Sequence, residues 1–152
     1  MATTSKLVQE AKTSLTFATS PTGVSNLGYS VSDAVDTTAN DPLDVIVEVR
    51  ATQSAALVTS SNQQLVAFAL GSLDATNFTG GAITSADESS MRFLGTLPLR
   101  TQNQSTANVF SIYSAFGFVP SAFKVVIKID NGANAGLSAF SAATAEITGT
   151  SV

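Results

Sequence analysis

The 152 residues contain no cysteine, no histidine and no tryptophan. The first two absences remove whole classes of chemistry. A Ser-His-Asp triad, a cysteine nucleophile and an ordinary zinc site all need one or both. The commonest general base near neutral pH is missing with histidine. Without cysteine the redox compartment cannot be read from the chain. Carbohydrate-binding platforms are usually built from exposed Trp or Tyr, so the lack of tryptophan, with Tyr29 and Tyr113 the only tyrosines, weighs against that role. Charge is scarce as well, at 12% of residues, against a usual share of about 25%. The net charge is -4, from eleven acids and seven bases. The bases, Lys6, Lys12, Arg50, Arg92, Arg100, Lys124 and Lys128, are dispersed and form no stripe, which argues against nucleic acid as a partner. No apolar run approaches the roughly 20 residues of a membrane helix, so no membrane partner is expected. The start of the chain, Met1 to Lys6, lacks an apolar signal core.

What is present is a hydrophobic share of 44%, with Ser, Thr, Asn and Gln filling the polar positions. A chain of this length fits one domain and buries about 70% of its unfolded surface, so it needs neither disulfide nor metal to hold a core. A polar but weakly charged surface suits close packing against neighbours, because little charge must be desolvated on contact.

Helical periodicity is short everywhere, whereas period-2 alternation recurs between turn residues, the pattern of a sandwich or barrel. The clearest strand spans 43–50. Leu43, Val45, Val47 and Val49 fall on one side, with Asp44, Ile46, Glu48 and Arg50 on the other. The second spans 123–130, with Phe123, Val125, Ile127 and Ile129 opposite Lys124, Val126, Lys128 and Asp130. Asn131-Gly132 closes it, because both residues tolerate positive φ. Residues 137–140 and 144–148 are expected to return as partners, making the C-terminus a short antiparallel series. Further strands are expected at 12–18, 27–32, 64–70, 91–99 and 107–113. The run at 64–70 is apolar enough for cover on both faces. Residues 111–121 read either as a strand bent at Gly117 or as a helical turn ended by it. Residues 1–11 read as an N-terminal arm or short helix, and 12–152 as the domain. The expected fold is a single all-β antiparallel sandwich of about eight strands, jelly-roll-like rather than immunoglobulin-like.

The remaining polar groups offer little chemistry. Asp74, Asp87, Glu88 and Glu146 lie in loops or on alternating solvent faces, where carboxylates are ordinarily solvated. Gly80-Gly81 has no following lysine or helix to make a phosphate loop. Asp33, Asp36, Asp41 and Asp44 form the best metal candidate, for calcium, but lack the spacing of a calcium loop and fit an ordinary acidic turn. Asn77-Phe78-Thr79 and Asn103-Gln104-Ser105 match a glycosylation pattern in polar loops. Phe68, Phe93, Phe110 and Phe123 are expected in the core. No catalytic residue, metal or cofactor is expected, and the chain reads as a non-enzyme.

One succession resembles a family. Phe110-Ser111-Ile112-Tyr113-Ser114-Ala115-Phe116-Gly117-Phe118-Val119-Pro120 precedes Phe123-Lys124-Val125-Val126-Ile127-Lys128 and Asp130-Asn131-Gly132; Gly136-Leu137-Ser138 and an Ala/Thr-rich strand follow. This resembles the C-terminal half of small virion proteins of tailed bacteriophages, in particular the jelly-roll decoration, or cement, proteins on the outside of the head shell. The upstream half shares composition alone. The resemblance implies a homo-oligomer, commonly a trimer, bound to the major capsid protein on the exterior of a virion and made in the host cytoplasm. A tail, baseplate or fibre component has the same composition. A sugar-binding or adhesive surface domain is the third reading, separated by glycan binding. Small polar residues crowd the chain start and the loop over 71–87. Both segments are expected to contact neighbouring chains, with Leu7, Val8, Asn77 and Phe78 as interface residues.

Overall fold

The computed structural model describes residues 5–54, 63–79, 83, 85–99, 102–130 and 136–151. Ten strands among them are β1 (Ser5–Gln9), β2 (Thr13–Ser14), β3 (Tyr29–Val31), β4 (Val35–Asp36), β5 (Asp44–Gln53), β6 (Gln64–Ser72), β7 (Arg92–Pro98), β8 (Ser105–Ser111), β9 (Ala122–Asp130) and β10 (Leu137–Ser151). One short helix, α1 (Ile112–Phe116), separates β8 from β9. The strands form two antiparallel sheets. The first runs β1-β10-β5-β8, with β2 also on β10; the second runs β3-β9-β6-β7, with β4 also on β9.

Because β5 occupies the other side of β10, β1 and β2 are two pieces of one interrupted edge. The same reasoning joins β3 and β4 along β9. Eight strand positions therefore remain. In chain order they fall in the first, second, first, second, second, first, second and first sheet. That alternation, with first-sheet order 1-8-3-6 and second-sheet order 2-7-4-5, is the jelly roll.

The core lies where the two sheets face each other. Val45, Val47 and Val49 of β5 meet Phe123, Val125, Ile127 and Ile129 of β9 there, all essentially without exposure. Their β-branched and aromatic side chains suit a pleated, covered surface, so propensity and pattern agree. A second apolar cluster occupies the outer face of the second sheet. Phe68, Leu70 and Val126 are covered there by Met91, Phe78 and Ile83 of the long β6–β7 connection. That cover explains why β6 is apolar almost throughout.

Several expectations are corrected. Ser5–Gln9, in the segment read as an arm or short helix, is a strand in register with Ile147–Ser151 of β10. The C-terminal segments do not form a series of hairpins: β9 and β10 lie in different sheets, and 137–151 is one long strand along β5 and β1. The strand expected at 12–18 shrinks to Thr13–Ser14 plus an isolated bridge from Phe17 to Ser32. Leu43 is half exposed, because β5 begins one residue after it. Phe93 is 60% exposed and not core. A register shift in the β6–β7 pairing, between Gly95 and Phe93, is the cause. It turns Met91 and Phe93 to the outer face while Leu97 and Leu99 stay inside, although all four share odd positions. Gly95 sits at this shift under Phe110, where an added Cβ would meet the ring at 2.5 Å. The turn expected at 131–132, and Gly80-Gly81, lie outside the described residues.

Candidate interaction surface

Three connections meet at one end of the sandwich: 37–43, the β6–β7 connection from 73, and 112–121. The last is α1 and its exit. Ser111 caps α1 by accepting from Ser114 N at 2.9 Å. Gly117 ends it at φ 78, a left-handed geometry that favours glycine. Asp44, at the start of β5, ties the helix down: Oδ2 accepts from Ser111 Oγ at 2.7 Å and Oδ1 from Tyr113 N at 2.9 Å. Ile112 is thereby sunk into the core, and Phe116 reaches back over β6. Its ring lies on Gly71, where a Cβ would come within 2.7 Å of it.

This anchoring leaves apolar side chains facing outward. Leu73 is 75% exposed, and Leu43, Tyr113 and Phe118 about half. Phe118 stacks edge-on against Phe116 at 6.1 Å. It stands between two depressions. One, of ≈ 460 Å³, is walled by Leu73, Asn77, Arg92, Phe116, Phe118 and Pro120. The other is lined by Leu43, Tyr113, Phe118 and Val119. Arg92 forms no ion pair among the described residues.

The residues expected at an interface are placed in two groups. Asn77 is exposed but serves a local knot. The Asp74 carboxylate accepts from Ser72 Oγ (2.8 Å), Thr76 N (2.9 Å), Asn77 N (2.8 Å) and Asn77 Nδ2 (2.7 Å). These donors, Asn77 foremost, hold Asp74 far below the usual carboxylate range. Phe78 is half-buried in the outer apolar cluster, with the Lys124 ammonium 4.5 Å from its ring centre. It anchors the connection to the second sheet. Farther along, Glu88 in the 3-10 helix Ser85–Ser90 accepts from the Tyr29 hydroxyl and, at 2.6 Å, from Lys128 Nζ. Those two donors, Lys128 first, lower the Glu88 pKa.

Leu7 and Val8 lie on β1, with Leu7 67% exposed and Val8 half-buried. Leu7 pairs with Gly149, and Leu43 Cδ1 approaches the same glycine from its other side, 3.4 Å from where a Cβ would sit. The edge strand and the apolar end are therefore continuous. Sequence reasoning missed Leu43, Leu73, Tyr113 and Phe118 as surface groups. Gly117 was the usable signal, since a helix stop there throws the following Phe118 out of the helix.

The acidic loop is put to structural use. Asp36 accepts from Thr38 N and Oγ1, Asp44 holds α1, and no group of three or more acids able to hold a metal occurs among the described residues. Fold and surface thus define a jelly-roll sandwich with an apolar, partly aromatic end. Neither the protein-family models nor the curated protein sequences give a match to this chain.

Proposed function

We propose that this chain is a non-enzymatic virion structural protein, a decoration or cement protein that binds the major capsid protein on the outside of a tailed-phage head. The observation that carries the reading is the end of the sandwich at Leu43, Leu73, Tyr113 and Phe118. Contiguous exposed apolar and aromatic groups on a weakly charged domain are the ordinary mark of a protein-binding surface. The jelly roll and the 110–148 resemblance supply the class of partner. A shell strained from within is stabilised by any ligand that binds only the assembled lattice. Repetition of one modest contact over that lattice gives a large total through multivalency. Catalytic groups have no part in this work.

The test is co-sedimentation with empty heads of the phage that carries the gene. Wild-type protein should pellet with expanded heads and raise their thermal stability. Phe118→Asp and Leu73→Asp should remain folded and stay in the supernatant. Recovery with tails instead of heads would reassign the protein to the tail, and binding to neither would overturn the virion reading.

A further inference from the structure

Among the described residues, the first sheet ends at β1 in an edge that no strand covers. Two backbone bonds fix which groups it presents. Leu43 N donates to Ile147 O at 2.8 Å, so odd residues of β10 turn their amides toward β5. Glu10 N donates to Glu146 O at 2.9 Å, so even residues turn toward β1. The register then sets Lys6, Val8 and Glu10 to bond within the chain, and Leu7 and Gln9 to point their N–H and C=O groups outward. An unblocked row of this kind is a template for another strand.

The side chains select which strand. An antiparallel partner must place outward-bonding residues opposite one another, which for two copies of β1 leaves three central registers. Centred on Leu7, Lys6 meets Val8. Centred on Gln9, Lys6 meets Lys12, a like-charge clash. Centred on Val8, Lys6 of each copy meets Glu10 of the other, twice, with Val8 against Val8 in the closer, non-hydrogen-bonded spacing. Lys6, Val8 and Glu10 lie on the inward face, since Val8 pairs with Thr148, two residues from Glu146, which is itself opposite the buried Val45. On that face Glu10 lines a groove of ≈ 560 Å³ between the sheet edges, together with Asp33, Asp36 and Glu146 and with no basic residue. Lys6 forms no ion pair among the described residues of its own chain. A lysine on an edge strand ordinarily discourages pairing; here it discourages the wrong registers and is answered in one.

We propose that two copies of this chain associate through a two-fold β1–β1 pairing centred on Val8, joining their first sheets into one. Four backbone bonds between Leu7 and Gln9 of the two copies form it. Lys6 of each copy enters the acidic groove of the other. This contact differs from the trimer that the phage resemblance implies and does not rest on that reading.

The mass of the full chain is measured across a dilution series, together with four variants. Wild type should approach twice 15.5 kDa and dissociate on dilution. Lys6→Glu and Glu10→Lys, both at exposed positions, should each weaken association by about tenfold or more, from two repelling pairs. The double variant restores opposite charges between positions 6 and 10 but leaves Asp33, Asp36 and Glu146 in the groove, so it should recover part of that loss. Leu7→Pro removes an outward N–H and no intrachain bond, a substitution edge strands accept, so it should melt like wild type and stay monomeric. A monomer at every concentration, a mass three times 15.5 kDa, or a dimer indifferent to the charge reversals would each overturn the pairing. Head binding by a strictly monomeric protein would leave the virion reading intact while removing this one.

Discussion

The two sheets share an inner core but treat their outer faces in opposite ways. On the first sheet the outer positions of β5 and β10 are Ile46, Glu48, Arg50, Ala143 and Ala145, with Val109 of β8 exposed beside them. Lys12 and Arg50 both reach Glu48 there, at 2.5 and 3.5 Å, and among the described residues no element covers them. On the second sheet the outer positions include Phe68, Leu70 and Val126, flanked by Lys124 and Lys128, and the β6–β7 connection is folded down over the apolar ones. The same period-2 strand thus produces a solvent face or a second core, depending on the residues in alternate positions. A hydrophobic outer face obliges the chain to supply a cover; small and charged residues do not.

The largest expected effect separates these faces directly. Val126→Asp puts an unpaired charge into the covered cluster and should cost several kcal/mol, enough to unfold the domain. Val47→Asp and Ile127→Asp in the inner core should do the same. Ile46→Asp, on the bare face of the neighbouring sheet, should cost less than about 1 kcal/mol. Urea melts of these variants check the contrast. Equal losses at 126 and 46 would mean that the β6–β7 connection does not exclude water.

Truncation sharpens the same contrast with a smaller effect. Met91→Ala removes a buried part of the cover and should cost about 2–3 kcal/mol. Val109→Ala, which shortens an exposed side chain, should stay within about 0.5 kcal/mol. Thermal melts would show the former several degrees lower and the latter unmoved.

Fold class was legible in the sequence because the two best strands are regular over several alternations. Val45, Val47 and Val49, and Phe123 through Ile129, needed no context to be placed. What escaped was decided by partners distant in the chain. Ser5–Gln9 carries too few residues to show a period, and it becomes a strand because β5 takes one side of β10 and leaves the other side as an edge to fill. Met91 and Phe93 share odd positions with Leu97 and Leu99 yet face the other way, and a shift in strand register is invisible without the opposite strand. The succession β9 to β10 looks like a hairpin locally, and only the pairing with β5 reveals a crossing between sheets. The interaction surface was half legible. The loop after Gly71 was expected to matter, but Asn77 and Phe78 hold it in place while Leu73 faces outward.

The cover is latched by charge as well as by apolar contact, and acid tests that latch. Glu88 binds Lys128 and the Tyr29 hydroxyl, and its pKa is lowered from its ordinary 4.5 in the folded state. A depressed carboxylate contributes stability that is present above its unfolded pKa and lost as pH falls through the folded one. The latch should therefore be complete at neutral pH and weaken below about pH 4.5, releasing the connection before the core. Lys128 and Tyr29 are both shifted upward, so the lysine's share holds through neutral pH and fails in strong alkali. Glu88→Gln should flatten the acid limb of the stability profile, lowering the neutral melting temperature by a few degrees. An unchanged acid limb would place the latch elsewhere.

The smallest expected effect distinguishes the two halves of the cover from each other. Residues 85–91 are pinned to the sheet through Glu88 and Met91, whereas 73–77 is tied mainly to itself through Asp74. The Asp74 carboxylate is fully exposed, and its acceptors serve Ser72, Thr76 and Asn77 within the same turn. Such a knot shapes a loop without supporting the domain, because the donors it satisfies would otherwise meet water. Asp74→Ala should therefore leave the melting temperature nearly unchanged. Amide exchange at Thr76 and Asn77 should nonetheless accelerate, since both donors lose their acceptor. Leu73, held between Ser72 and Asp74 within the knot, would then lose its fixed place at the apolar end, so head binding should weaken while stability does not. A loss of stability comparable to that of Met91→Ala would show instead that both halves of the connection carry the second core.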